Sequence, residues 1–441
     1  MSDQISASAG AEAAEAVGFK DLMRNRNFRF LWLGQVISDF GDSLTSLSLL
    51  FLINKLTGST AALATMLIVL TIPQITFGLV AGVYVDRLDR KRIMIVSDLL
   101  RGLLVLGFMF VASPDLVWLL YVIAFVQASI GTLFTPARSA LLPNIVPAQG
   151  LMAANSVQQT SRIIFGLLGT AAAGVLIGTF EVFWPAFTVD ALTFFASVLL
   201  VSRIAGVQTR GTAGESTPGT VRVIFGQLAD GMKIIARTPV LSGTLMAVGV
   251  AMLGMGAVNV LVIPLIINDL QVPATWFGAV ELAQTAGMIL SGSLVVVLAR
   301  RLKPTGIISG SLVGIGAAIS LLALVSSVWH IFPVVFAVGL LVTPLQASVS
   351  TIMQTSVSNQ VRGRISSSLN TMISTTSLVS MGLAGVLGQA IGVRNVFVAG
   401  GAVIVVAGFA AAWVFRGYGG PTKAESQTAG AAVAVQGEPA S

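Results

Sequence analysis

Some twelve separate runs of about twenty apolar residues, interrupted only by polar connections, constrain this chain more than any other feature. A helix needs about that length to cross the hydrocarbon core of a bilayer, where each backbone N–H and C=O must be satisfied within its own segment. The runs lie near residues 30–53, 60–84, 93–112, 115–136, 151–178, 184–204, 241–267, 274–299, 305–327, 329–351, 365–391 and 395–416. With 55% of its 441 residues apolar and 10% charged, the chain falls outside the range of a water-soluble domain. The expected fold class is all-α and integral to a membrane, with twelve transmembrane helices in two six-helix bundles.

Charge orients the runs. If the N-terminus is cytoplasmic, only Lys55 and Arg394 of the 25 basic residues fall in outer loops, while Arg101 and Arg162 lie inside spans. Cytoplasmic loops carry the excess of Lys and Arg, so both termini are expected inside the cell, with the chain multi-pass in the inner (plasma) membrane. The net charge of +7 is spread over these short loops rather than gathered on one face, which argues against a nucleic-acid partner. Membrane lipids are the expected surroundings, and a monomer the expected state.

The longest break carries Arg210, Arg222, Lys233 and Arg237 among Gly, Thr and Pro, and divides the runs six and six. The expected organisation is a cytoplasmic segment over 1–29, a first bundle over 30–204, a linker over 205–240, a second bundle over 241–416 and a disordered tail over 417–441. Phe19 to Arg29 mixes basic and apolar residues as an amphipathic lead-in would. The first 17 residues lack a basic stretch leading into a short apolar core, so no cleaved signal is expected. The halves echo each other at an offset of roughly 210 residues: Pro136 with a later Asn155 is matched by Pro344 with a later Asn370.

The chain contains no cysteine and one histidine, His330 beside Trp329 at the outer end of a run. That removes disulfides, thiol chemistry and paired-histidine metal ligation. No Ser–His–Asp constellation is available, and neither an enzyme activity nor a cofactor is expected.

Ionisable side chains inside spans cost about 2.5 to 3.5 kcal/mol each even on a lenient insertion scale, so each is a functional candidate. They are Asp39, Asp42, Asp98, Arg101, Arg162, Asp190 and Glu281. Gln35, Ser38, Asp39, Asp42 and Thr45 form one helical stripe. Asn155, Gln158, Gln159 and Arg162 form a second, and Glu281, Gln284, Thr285 and Met288 a third. At about 1.5 Å per residue, Asp42 and Arg162 both sit roughly 16 to 18 Å deep and Asp190 about 21 Å, so depth allows Arg162 to meet either carboxylate. Asp98 and Arg101, three residues apart, are expected to satisfy each other or to brace the basic motif beside them, and Asp190 to be structural. Asp42 or Glu281 is the expected carrier of a coupling proton. An equally open reading makes both carboxyls members of buried hydrogen-bond networks.

Between the second and third runs lies Gly82-Val-Tyr-Val-Asp86-Arg87-Leu-Asp89-Arg90-Lys91-Arg92. This motif resembles the signature of the major facilitator superfamily. So do Asn27-Phe28-Arg29-Phe30-Leu31-Trp32, Ser38-Asp39-Phe40-Gly41-Asp42, Ser97-Asp98-Leu99-Leu100-Arg101 and the stretch from Pro136 to Pro143. The pattern is similar to the branch containing macrolide-efflux and enterobactin-exporter proteins. The resemblance implies that Gly82, Asp86, Arg87, Arg90, Lys91 and Arg92 form a cytoplasmic gate. It also implies that the first, fourth, seventh and tenth spans line a substrate path, here bringing in Asp39, Asp42, Gln127, Phe134, Met252, Met255, Asn259 and Phe336. The implied function is proton-coupled efflux of a small amphipathic or lipophilic molecule by alternating access; the alternative is an importer or facilitator of a small metabolite. Two departures stand out. Leu167 occupies the place of the proline in the family's antiporter motif, and Ala124 to Gln127 carries no arginine.

Overall fold

The computed structural model describes residues 18–78, 81, 85, 88–206, 221–357 and 359–417. Gly82, Asp86 and Arg87 of the gate motif lie outside the described residues, as do 1–17, most of the tail and residues 207–220 of the linker.

The spans, numbered α1 to α12, are Arg26–Thr57, Thr60–Thr76, Arg90–Gly107, Val117–Ile145, Leu151–Phe180, Trp184–Ser202, Pro239–Pro264, Thr275–Arg301, Pro304–Leu321, Val328–Thr355, Asn359–Ile391 and Val393–Val414. Eleven have the length and apolarity to cross a membrane, and α2 is a shorter apolar helix of 17 residues. Their ends follow local chemistry. Asn25 caps α1 by accepting from the N–H groups of Asn27 and Phe28, while its own amide donates to the Ile145 carbonyl at the end of α4. Gly58, at φ +59°, closes α1 in the left-handed conformation that glycine takes without strain, and Ser59 then caps α2. Pro239 and Pro304 begin α7 and α9 at positions where a missing N–H costs nothing.

Packing inside the first half recurs inside the second six helices later. Helix α1 packs on α5 and α6, as α7 packs on α11 and α12; α3 packs on α4 and α6, as α9 packs on α10 and α12. The two halves meet through a matching exchange, α2 with α11 and α5 with α8. This is the pseudo-two-fold pattern of repeats related by an axis along the membrane normal.

Lipid supplies little hydrophobic drive between helices, so close approach of backbones carries the association. In the α5–α8 seam a Cβ added to Gly174 would lie 2.8 Å from the Ala274 carbonyl oxygen, and one on Gly278 2.6 Å from the Ala171 Cα. On the outside, Val406, Phe409 and Trp413 make an exposed apolar stripe along α12, the face a lipid chain would cover. The lead-in contains a short helix, Phe19–Arg24, whose Leu22 is buried and whose Phe19 meets Trp32 edge-on at 6.1 Å. The sequence reading treated the break between halves as plain linker. Residues Val221–Arg237 instead form a helix packed on α7 and α11, with Ile235 buried.

The described residues of the motif from Gly82 to Arg92 make contacts in the first half. Asp89 caps α3 by accepting from the Arg92 N–H at 3.1 Å. Arg90 donates to the Ala140 carbonyl of α4 at 2.9 Å. Lys91 donates to the carbonyls of Ser202 and Ile204 at 2.8 and 2.7 Å, satisfying groups that the end of α6 leaves open. Lys91→Met is expected to lower the stability of the purified protein by about 1 to 2 kcal/mol, the net worth of such bonds at a partly exposed site. A melting temperature in detergent equal to that of wild type would show that these bonds are replaced by water at no cost.

Candidate functional site

A cavity of about 670 Å³ opens among α1 to α5. Its lining includes Gln35, Ser38, Asp39, Asp42 and Thr45 from α1, Asp98 and Arg101 from α3, Gln127 and Arg138 from α4, and Arg162 from α5. Each contributor sits on the inward stripe of an amphipathic span, because a polar side chain facing lipid would remain unsatisfied.

Arg101 is the centre of the charge arrangement. Its guanidinium donates to Asp42 Oδ1 at 2.6 Å, stands 4.0 Å from Asp98 Oδ1, and lies over the Phe194 ring with 4.3 Å to the centroid. Asp98 is fully buried and accepts from the Ser197 hydroxyl at 2.6 Å. One side chain therefore ties α1, α3 and α6 together. Asp42 keeps 37% of its side chain accessible, which leaves it reachable from the cavity.

This corrects one expectation and extends another. Asp42 pairs with Arg101, not Arg162; Asp98 and Arg101 do pair, and Asp42 and Ser197 join them. The long arginine side chain spans a difference in depth that counting residues along separate helices treats as separation. Arg162 is exposed in the cavity and has no ion pair or hydrogen bond among the described residues. Asp39, half-buried, likewise has none and lies in the field of Arg138 and Arg162. Arg138, which enters the sequence analysis only within the stretch from Pro136 to Pro143, donates to the Gln35 side chain. The signal available was its place two residues after Pro136, still within α4. Asp190 is buried on α6 with the Thr193 hydroxyl 3.2 Å from its carboxyl, away from the cavity wall.

The second-half candidates stand elsewhere. Gln127 is buried at the cavity wall, but Asn259 is exposed on α7 and, with Met252, Met255 and Phe336, is absent from the cavity lining. Glu281 is half-buried on α8 with no hydrogen bond or ion pair among the described residues. Gly278 meets α5 and Gly287 meets the Phe336 carbonyl of α10, so helical geometry puts Glu281 and Met288 on the arc opposite the lipid-exposed Leu282, Ile289 and Leu290.

Among the described residues no second-half side chain lines the cavity, and the joins between halves gather near the other end. Asn54 and Asn268 exchange amide hydrogen bonds at 3.1 and 3.3 Å. Thr60 donates to the Gly385 carbonyl at 2.7 Å, and Phe51 meets Phe277 edge-on at 5.7 Å. A buried cluster there combines Leu44, Leu47, Phe51 and Ile177 of the first half with Ile263 and Ala274 of the second. At the end carrying the N-terminal lead-in, the corresponding cluster of Leu22, Phe28, Leu31, Leu141 and their neighbours draws, among the described residues, on the first half alone.

The family model described as Major Facilitator Superfamily matches residues 31–374 and 244–438. The chain belongs to the major facilitator superfamily. This transporter is similar to macrolide efflux protein A of Streptococcus pyogenes, with 25% identity covering 86% of the chain and 93% of that protein. It is similar also to the multidrug efflux pump Tap of Mycolicibacterium fortuitum, with 25% identity covering 81% of the chain and 88% of the pump. Among solved structures it shares its fold with a bacterial homologue of the iron transporter ferroportin in an inward-facing state. That likeness has a TM-score of 0.70 at 13% identity, covering 89% of the chain and 99% of the other. The transporter is thus a multi-pass membrane protein.

Proposed function

We propose that the transporter exports small amphipathic molecules by alternating access, driven by protons, with both termini and the basic loops in the cytoplasm. The observation that carries this reading is the Asp42–Arg101 pair on the wall of a cavity that lies away from the joined end of the two halves. An accessible carboxylate held by a buried guanidinium has two states. Ionised, it locks α1 to α3; protonated, it releases Arg101 and with it the link to α6. A proton arriving from outside would thereby change the packing of the helix that also carries Asn54 of the Asn54–Asn268 join, coupling proton uptake to opening of that end. Glu281, on the inward arc of α8, is the second proton site of this reading. The similarity to a macrolide efflux protein and a multidrug efflux pump supports export and an amphipathic cargo.

Purified protein in proteoliposomes tests the proposal. A fluorescent amphipathic dye is expected to accumulate in inside-out vesicles when the lumen is made acidic. Asp42→Asn is expected to lower gradient-driven uptake at least tenfold while leaving dye exchange without a gradient measurable. Gradient-driven uptake equal to wild type in Asp42→Asn would remove Asp42 from the coupling path. Dye movement insensitive to any proton gradient in wild type would replace antiport by facilitated diffusion.

A further inference from the structure

We infer that the first-half cavity selects dipolar molecules, gripping an ammonium group with Asp39 and a carboxylate with Arg162. The inference rests on the export reading for its meaning in the cell, but its chemistry comes from the cavity itself.

Among the described residues six charged side chains line the cavity: Asp39, Asp42 and Asp98 against Arg101, Arg138 and Arg162. Arg101 is committed to Asp42 and Asp98, and Arg138 is held by Gln35. That leaves Asp39 and Arg162 as opposite charges, both in the cavity, neither with a hydrogen bond or an ion pair among the described residues. Their separation exceeds the 4.0 Å of a direct pair, and the cavity, at about 670 Å³, would be roughly 11 Å across as a sphere. A ligand carrying a positive and a negative group several ångströms apart fits between them.

Unsatisfied polar atoms of both kinds lie nearby. On the α4–α5 side, donors lack partners: the Nε atom of Arg138 and the Nε2 atom of Gln158, one turn before Arg162. On the α3 side the Asp98 Oδ1 and Arg101 Nε atoms, an acceptor and a donor, lack hydrogen-bond partners. Buried polar groups are nearly always satisfied, so these spare donors and the spare acceptor mark polar places that a ligand with both kinds of group could fill. Net charge agrees. The six groups sum to zero, and a dipolar ligand keeps that balance, whereas a simple cation or anion would add an uncompensated charge within the span. The ligand class is an amphiphile with a free amine and a free carboxylate, such as a short apolar peptide.

Equilibrium binding to the purified full chain in lipid nanodiscs tests this with four forms of one probe, the dipeptide Leu–Phe: free termini, C-terminal amide, N-acetyl and both capped. The free form is expected to bind at least tenfold tighter than any capped form. Asp39→Asn should erase the advantage of the free form over the N-acetyl form, and Arg162→Gln its advantage over the amide, while Asp39→Glu and Arg162→Lys keep the wild-type order. Equal binding of all four forms, absence of binding, or tightest binding of the amide would overturn the inference, as would the same loss in both variants. Because binding is read without a gradient, its failure is separable from failure of proton-driven export, which vesicle flux reports on its own.

Discussion

Replacing Arg101 with leucine is expected to abolish transport and to destabilise the protein by about 3 to 5 kcal/mol, because two carboxylates would remain without their shared cation. Asp98 is the costly one: its side chain is 1% exposed and keeps only the Ser197 hydroxyl, while Asp42, more accessible, recovers part of its loss from water. The cation–π contact with Phe194 would also vanish. A second variant separates folding from function. Removing all three charges, in Arg101→Leu with Asp42→Asn and Asp98→Asn, should restore most of the thermal stability, since a neutral replacement of a buried charge cluster is often tolerated. It should not restore gradient-driven flux. Melting in detergent and flux in proteoliposomes read the two effects independently. An Arg101→Leu protein with wild-type melting would mean that another group neutralises the carboxylates.

Gly278→Val is expected to shift the transporter toward a state opened at the end where its halves now meet. The new side chain would meet the backbone of Ala171, which cannot rotate away as a side-chain tip can. Overpacking of this kind costs about 1 to 3 kcal/mol, and each 1.4 kcal/mol is a tenfold change in population. Because α5 and α8 join the halves but make no cavity wall on the α8 side, the change should act on the conformational equilibrium more than on ligand contact. The chain contains no cysteine, so spin labels at Thr57→Cys and Gln271→Cys would report this end alone. The expected result is a longer label separation in Gly278→Val. An unchanged distance distribution with normal flux would show that the seam yields without opening.

Much of the fold was legible from the sequence because a bilayer permits so few solutions. A run of the required length must be a helix, and the six-and-six division followed from counting runs. The polar stripe from Gln35 to Thr45 was readable because α1 must turn such residues away from lipid, and the structure places all five on the cavity wall. The helix at Val221–Arg237 was hidden because surface helices need no continuous apolar run.

The partners were not legible. Residue counting along a span gives height, but the direction in which a side chain leaves its helix relative to a neighbour depends on how the helices are rotated and how closely they approach. For α1 that is set by contacts such as Gly41 against Asp190 and Thr193 of α6, and Gly169 of α5 against the Phe40 carbonyl. These contacts turn Asp42 toward Arg101 and leave Arg162 and Asp39 open to the cavity. The sequence by itself determined that the chain crosses a membrane in two repeated halves and that its buried charges lie on inward faces, because hydrocarbon admits neither an unsatisfied backbone nor a stray ion. Only the tertiary structure decided which charges neutralise one another and which remain open, because helix rotation and close packing, not composition, bring one guanidinium rather than another within 2.6 Å of Asp42.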